Sequence, residues 1–185
     1  MGANIKVFLY VVDGLLIDCG PQSMAEDVAA FNRTQKIDQV ALMWKARGAF
    51  LEAIKASTTY MDEVDIVVPR SCVNELVEYT HGLQNELNVH IKSFGHAGDG
   101  NLHAYILKDE LSDTEWEERL LLAMKKLYAK CRELNGQVSG EHRIGFVKKP
   151  YLNESLSPEL LKIMRGIKNV FDPNNILNPH KVCQD

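Results

Sequence analysis

Two apolar runs, Asn88–Phe94 and Leu102–Leu107, flank a short glycine-rich segment, Gly95-His96-Ala97-Gly98-Asp99-Gly100-Asn101. Gly98, Asp99 and Gly100 suit a tight reversal, because glycine reaches backbone conformations that other residues avoid. The two runs therefore read as strands joined into a hairpin at the centre of the chain. Side chains alternate along a strand. His103, Tyr105 and Leu107 thus face one way, and Leu102, Ala104 and Ile106 the other.

The other elements are placed around this hairpin. Ile5–Val12 reads as a strand, Asp13-Gly14 as a turn, and Leu15–Cys19 as a possible partner strand. Ser23-Met24-Ala25-Glu26 has the form of a capping box and opens a helix to about Arg33, and a second helix covers Ala41–Ala56. Val64–Val68 is a short buried strand stopped by Pro69. Ser71 is expected to cap a helix running to about Leu87, with Leu76, Tyr79 and Leu83 on one face. Ser112-Asp113-Thr114-Glu115 is another capping box; it starts the longest helix, which Asn135-Gly136 closes. Ser157-Pro158-Glu159 begins a last helix that stops near Phe171, ahead of Asp172-Pro173. This order predicts an α+β fold, an antiparallel sheet with helices packed on one face. No repeat or linker marks a domain boundary.

Bulk properties narrow the function classes. Hydrophobic residues are 45% and charged residues 25% of the 185, an ordinary globular balance. The formal net charge of -4 offers no basic footprint for nucleic acid. Lys148-Lys149 reads as a solvated surface pair. Four scattered cysteines, Cys19, Cys72, Cys131 and Cys183, fit free thiols in a reducing compartment. No segment approaches the roughly 20 apolar residues of a membrane span, and the first residues lack the regions of a signal peptide. A cytoplasmic location is expected.

The residues that carry chemistry lie in two places. The glycine turn can bring the imidazoles of His96 and His103 to one point, as a divalent metal requires. Two histidines alone are more often structural than ligating. Ser139-Gly140-Glu141-His142 adds a carboxylate beside a third histidine, one a ligand and the other an acid-base group near neutral pH. Two histidines and a carboxylate form a ligand set of catalytic metals that leaves positions open for substrate.

Phe94-Gly95-His96 through His103, Val138 through His142, and Asp172-Pro173-Asn174-Asn175-Ile176-Leu177-Asn178-Pro179 together resemble the C-terminal domain of FAD-linked oxidases. Trp44-Lys45-Ala46-Arg47 and Asp65-Ile66-Val67-Val68-Pro69-Arg70 resemble further landmarks of that family, in the same order, from about Leu42 to Cys183. The group contains D-lactate dehydrogenases, the glycolate oxidase flavin subunit and D-2-hydroxyglutarate dehydrogenase. The likeness is strongest to bacterial D-lactate dehydrogenases that pass electrons to an electron-transferring flavoprotein. It implies a ferredoxin-like cap domain and a small 2-hydroxy acid as substrate, oxidised with hydride transfer to FAD. His96, His103 and Glu141 match the family's metal ligands, with zinc the expected ion, and His142 matches the base. Arg47 matches an arginine that grips the substrate carboxylate, and Asn178 lies in a tail segment that approaches the flavin.

Several positions depart from the family pattern. Arg143 and His180 stand where glycine is usual, which would strain the backbone if φ is positive there. Tyr105 stands where the hydroxyglutarate enzymes have asparagine, and their substrate lysine has no clear counterpart near Asp62-Glu63-Val64. Those two differences favour a small monocarboxylate such as lactate or glycolate. Nothing resembling the family's N-terminal FAD-binding domain is recognisable, so the chain is expected to be a fragment that alone binds little FAD and does not turn over. The alternative is a stand-alone module that binds a metal or small acid without redox chemistry.

Overall fold

A computed structural model describes residue 49 and residues 51–182, with the backbone of two short strands nearer the N-terminus. Those strands, β1 (Tyr10–Val12) and β2 (Leu15–Asp18), pair antiparallel. The helix expected from Ser23 lies outside the described residues; of the next one, residues 51–56 are helical.

The central sheet has three antiparallel strands in the order β3-β5-β4: β3 (Met61–Val67), β4 (His90–His96) and β5 (Asn101–Leu107). β3 is longer than its apolar run suggests. Met61, Asp62 and Glu63 extend it because β5 offers Leu107, Ile106 and Tyr105 as partners in register. β4 and β5 form the expected hairpin, with His96 opposite Asn101 and Phe94 opposite His103.

The described residues hold four further helices, in chain order α1 (Val73–Leu87), between β3 and β4, and α2 (Asp113–Glu133), α3 (Lys149–Ser155) and α4 (Pro158–Phe171), after β5. A 3-10 turn, Arg70–Cys72, leads into α1. The cap of α1 is Cys72, without a side-chain bond, so Ser71 does not cap it: the preceding turn places Ser71 one position too early. The capping box at Ser112 and Glu115 forms in both directions. At the other end of α2, Asn135 adopts φ 58° and Gly136 N–H bonds the Cys131 carbonyl, a Schellman closure. Ser157 caps α4 by accepting from Leu160 N–H.

The period of two along each strand separates the sheet's two faces. Val64, Ile66, Leu102, Ala104 and Ile106 point into the core with Leu76 and Leu83 of α1 and Ala123 and Leu127 of α2. Burying such aliphatic side chains stabilises the fold by about 1.5–3 kcal/mol each. The opposite face carries Glu63 and Asp65 of β3, Phe94 and His96 of β4, and His103 and Tyr105 of β5. After α2 the chain returns to pair Gln137 with Val67, N–H to carbonyl in both directions (3.0 and 2.7 Å). That bridge delivers residues 138–142 to the edge of the polar face.

Candidate metal and acid-base site

The segment Ser139-Gly140-Glu141-His142 is wrapped around one buried carboxylate. Asp65 Oδ2 accepts from the backbone N–H of Gly140 (2.9 Å), Glu141 (3.1 Å) and His142 (2.7 Å), and from the Ser139 hydroxyl (3.1 Å). Asp65 Oδ1 accepts from Asn101 Nδ2 at 2.7 Å. Successive amides aimed at one anion form a nest, which fixes the loop that carries Glu141 and His142. Asp65 is fully buried, and burial works against its charge. The Asn101 bond, the loop amides and the nearby Lys148 charge outweigh burial and hold its carboxyl below the ordinary value. Lys148 is itself buried, so the expected solvated pair is corrected: its ammonium lies close enough to complement Asp65.

Two glycines are required by close approach. A Cβ at Gly140 would lie 2.0 Å from Asn101 Nδ2 and 2.7 Å from Val67 Cγ2. In the hairpin turn Gly100 takes φ 77°, and a Cβ there would lie 2.0 Å from the Val68 carbonyl oxygen. Val68 N–H bonds the Gly100 carbonyl at 2.9 Å, tying the turn to the end of β3.

His96, His103 and Glu141 come together at this edge. His103 Nε2 lies 2.9 Å and His96 Nε2 3.4 Å from Glu141 Oε1, and one ligand atom from each residue falls within 4.8 Å of the others. The His103 side chain is 3% exposed and Glu141 54%, so the cluster is closed on the sheet side and open at the loop. A second grouping shares His103 through its other nitrogen: Glu63, His103 and His142. Glu63 Oε1 is 2.9 Å from His103 Nδ1, 2.9 Å from the Tyr105 hydroxyl and 2.8 Å from His142 Nδ1. The His103 and His142 rings stand 4.7 Å apart, and Phe94 stacks on Tyr105 beside them.

The charges of this cluster support one another. Burial opposes ionisation of Glu63, yet the bonds from His103, Tyr105 and His142 hold its carboxyl below the usual range. Burial likewise opposes a charge on His103; the Glu63 bond and the Asp65, Glu63 and Glu141 charges nevertheless push its pKa up. Burial and the Glu63 carboxylate raise the Tyr105 phenol, which therefore stays a donor.

Glu63, Asp65, Asn101 and Lys148 had no site role among the sequence expectations, in which Asp65 fell within a family landmark and Lys148 read as a surface residue. A signal existed for the first two: acidic residues alternate with Val64 and Ile66 in the strand Met61–Val67, and an alternating acid in a buried strand needs a partner. Asn178 is exposed, takes φ 48°, and lines a separate apolar groove of about 560 Å³ with Met164, Ile167, Phe171 and Leu177. Arg47 lies outside the described residues. The backbone at Arg143 is not among those with positive φ, so no such strain arises there, whereas His180 does adopt φ 62°.

Comparison with known proteins agrees with the motifs. The chain is 50% identical to a D-lactate dehydrogenase of Anaerostipes hadrus over 140 residues, 76% of this chain and 30% of that protein. It is 35% identical to a glycolate oxidase subunit of Bacillus subtilis over 158 residues, 84% of this chain and 33% of the other. With a D-2-hydroxyglutarate dehydrogenase of Stutzerimonas stutzeri it shares 34% identity over 152 residues, 80% of this chain and 32% of that one. The chain thus spans about a third of the length of these relatives. Residues 19–182 match the family described as FAD linked oxidases, C-terminal domain, and the chain belongs to that family.

Proposed function

We propose that this chain is the substrate- and metal-binding domain of a flavin-dependent dehydrogenase that oxidises a small 2-hydroxy acid, of the D-lactate or glycolate type, to the 2-oxo acid. The observation that carries this reading is the convergence of His96 Nε2, His103 Nε2 and Glu141 Oε1, with the His142 imidazole beside them.

The donor set fits a divalent ion, zinc being the natural choice for two imidazoles and a carboxylate. His96, His103 and Glu141 would hold it, and the open loop side leaves room for substrate. A bound ion would supply Lewis acidity that lowers the pKa of the substrate hydroxyl, and FAD would supply the acceptor for the α-hydrogen as hydride. His142 accepts the hydroxyl proton at its ring nitrogen. Arg47 is assigned to the substrate carboxylate, for which its planar fork of donors is suited. Asn178 is assigned to the flavin side, at the rim of the α4 groove. Glu63 and Glu141 leave the site rich in negative charge, which disfavours a substrate with a second carboxylate and supports a monocarboxylate. An electron-transferring flavoprotein is proposed as the onward acceptor and the cytoplasm as the location.

Cobalt(II) tests this reading on the chain itself. The chain loaded with cobalt is titrated with D-lactate, glycolate and, as a control, propionate. A change in the visible cobalt spectrum with the two hydroxy acids and none with propionate is expected. An unchanged spectrum with all three contradicts it.

A further inference from the structure

The two overlapping triads around His103 pose a question of assignment, because Glu63 and Glu141 each lie within reach of a ring nitrogen on the same imidazole. Their surroundings differ. Three groups crowd one oxygen of Glu63: His103 Nδ1, His142 Nδ1 and the Tyr105 hydroxyl, all at 2.8–2.9 Å. The Tyr105 hydroxyl can only donate to a carboxylate, and a carboxylate oxygen already filled by donors is a poor metal ligand. Glu141 instead faces the Nε2 atoms of His96 and His103, which carry lone pairs once the Nδ1 atoms are protonated.

Strand register explains why Glu63 rather than Asp65 receives the rings. Asp65 is the residue directly opposite His103, but its Oδ1 accepts from Asn101 and stands 3.6 Å from His103 Nδ1, while its Oδ2 is taken by the loop amides. Glu63, opposite Tyr105, reaches His103 diagonally across the strand pair and meets His142 Nδ1 at 2.8 Å.

Resting on the reading of the site given above, we propose that Glu63 is a positioning residue that fixes the tautomers of two histidines through a single oxygen. It takes Nδ1–H from His103 and from His142. The Nε2 lone pair of His103 is thereby left for a metal, and that of His142 for the proton of the substrate hydroxyl. One carboxylate thus couples the orientation of a ligand to that of the base, and Tyr105 holds the carboxylate in place from the third side. Outer partners of this kind typically change metal affinity by about 10–100-fold.

Nitrogen-15 NMR of the histidine rings in the zinc-loaded chain tests this without any substitution. Nδ1–H on both His103 and His142 is expected; Nε2–H on either ring overturns the proposal. Glu63→Gln keeps the shape but weakens the acceptor, and is expected to retain one zinc per chain with at least tenfold weaker affinity and a mixed tautomer at His142. Glu63→Asp is expected to bind zinc no better, since its shorter reach cannot serve both rings. Unchanged affinity and tautomers in Glu63→Gln, or two zinc ions per wild-type chain with Glu63 as a ligand, overturn the assignment. If the chain binds no zinc, the metal assignment fails instead, and the His142 tautomer in the metal-free chain still decides the role of Glu63.

Discussion

Replacing Asp65 by asparagine keeps the shape of the side chain and removes its charge, so it isolates what the carboxylate does for the loop. In the wild type, Oδ2 accepts three backbone N–H bonds and the Ser139 hydroxyl, while Oδ1 accepts from Asn101. An amide has a single oxygen. If it faces the loop, those bonds pass from charge-assisted to neutral, a loss of about 1 kcal/mol each. The amide NH2 then meets Asn101 Nδ2, donor against donor at a separation of 2.7 Å. Asn101 can turn its partnerless Oδ1 towards it, at the expense of the Nδ2 bond to the Ile66 carbonyl. Relief from burying a charge offsets part of the loss, leaving a net destabilisation of about 2–3 kcal/mol, with about 3–5 kcal/mol for Asp65→Ala. In a chain of this size the former lowers the thermal midpoint by roughly 5–10 °C.

Urea unfolding followed by far-ultraviolet circular dichroism measures the difference. The folded pKa of Asp65 is depressed, so its contribution is present above the unfolded value near ~3.9 and lost as pH falls through the folded value. The gap between Asp65→Asn and the wild type therefore narrows in acid. An Asp65→Ala variant within about 0.5 kcal/mol of wild type at neutral pH refutes the reasoning.

Other outcomes follow from the same geometry. Gly140→Ala must displace Asn101 or the loop, because its Cβ falls 2.0 Å from Asn101 Nδ2; a loss of about 1–3 kcal/mol by urea unfolding is expected, and a neutral result contradicts the close approach. The pKa of His103 is raised in the metal-free chain, so its ionic stabilisation is full below ~6.5 and lost as pH rises through the folded value. Zinc competes with that proton, so zinc affinity should rise with pH, with proton uptake by the buffer detected in calorimetry across buffers of different ionisation enthalpy; no proton release argues against His103 as a ligand. Ser112→Ala removes the side-chain arm of a capping box far from the histidines, leaving the backbone N–H to Glu115, and should cost about 1 kcal/mol with metal content unchanged.

The hairpin and its two faces were legible because strand periodicity is local: the glycine turn and the alternation in Leu102–Leu107 assign His103 and Tyr105 to one side without any knowledge of the rest. The capping boxes and the end of α2 were legible for the same reason. Glu63 and Asp65 were not, since their roles depend on the register of β3 against β5, a pairing between residues far apart in the chain. The burial of Lys148 has no local signal, because it arises from the tertiary surroundings it shares with Asp65 rather than from its neighbours in sequence. The seven-residue α3 has no side-chain cap and too short an apolar pattern to announce itself. Ser71 shows the limit of capping rules, where an intervening 3-10 turn shifts the helix start.

The central claim is that the hairpin and the Asp65-anchored loop together build one divalent metal site beside His142. Its most direct test is the metal content of the chain after zinc loading and exhaustive dialysis, compared with His96→Ala/His103→Ala. One zinc per wild-type chain, lost in the double variant while circular dichroism confirms that it folds, is the predicted result. A folded double variant that retains a full equivalent of zinc contradicts the account.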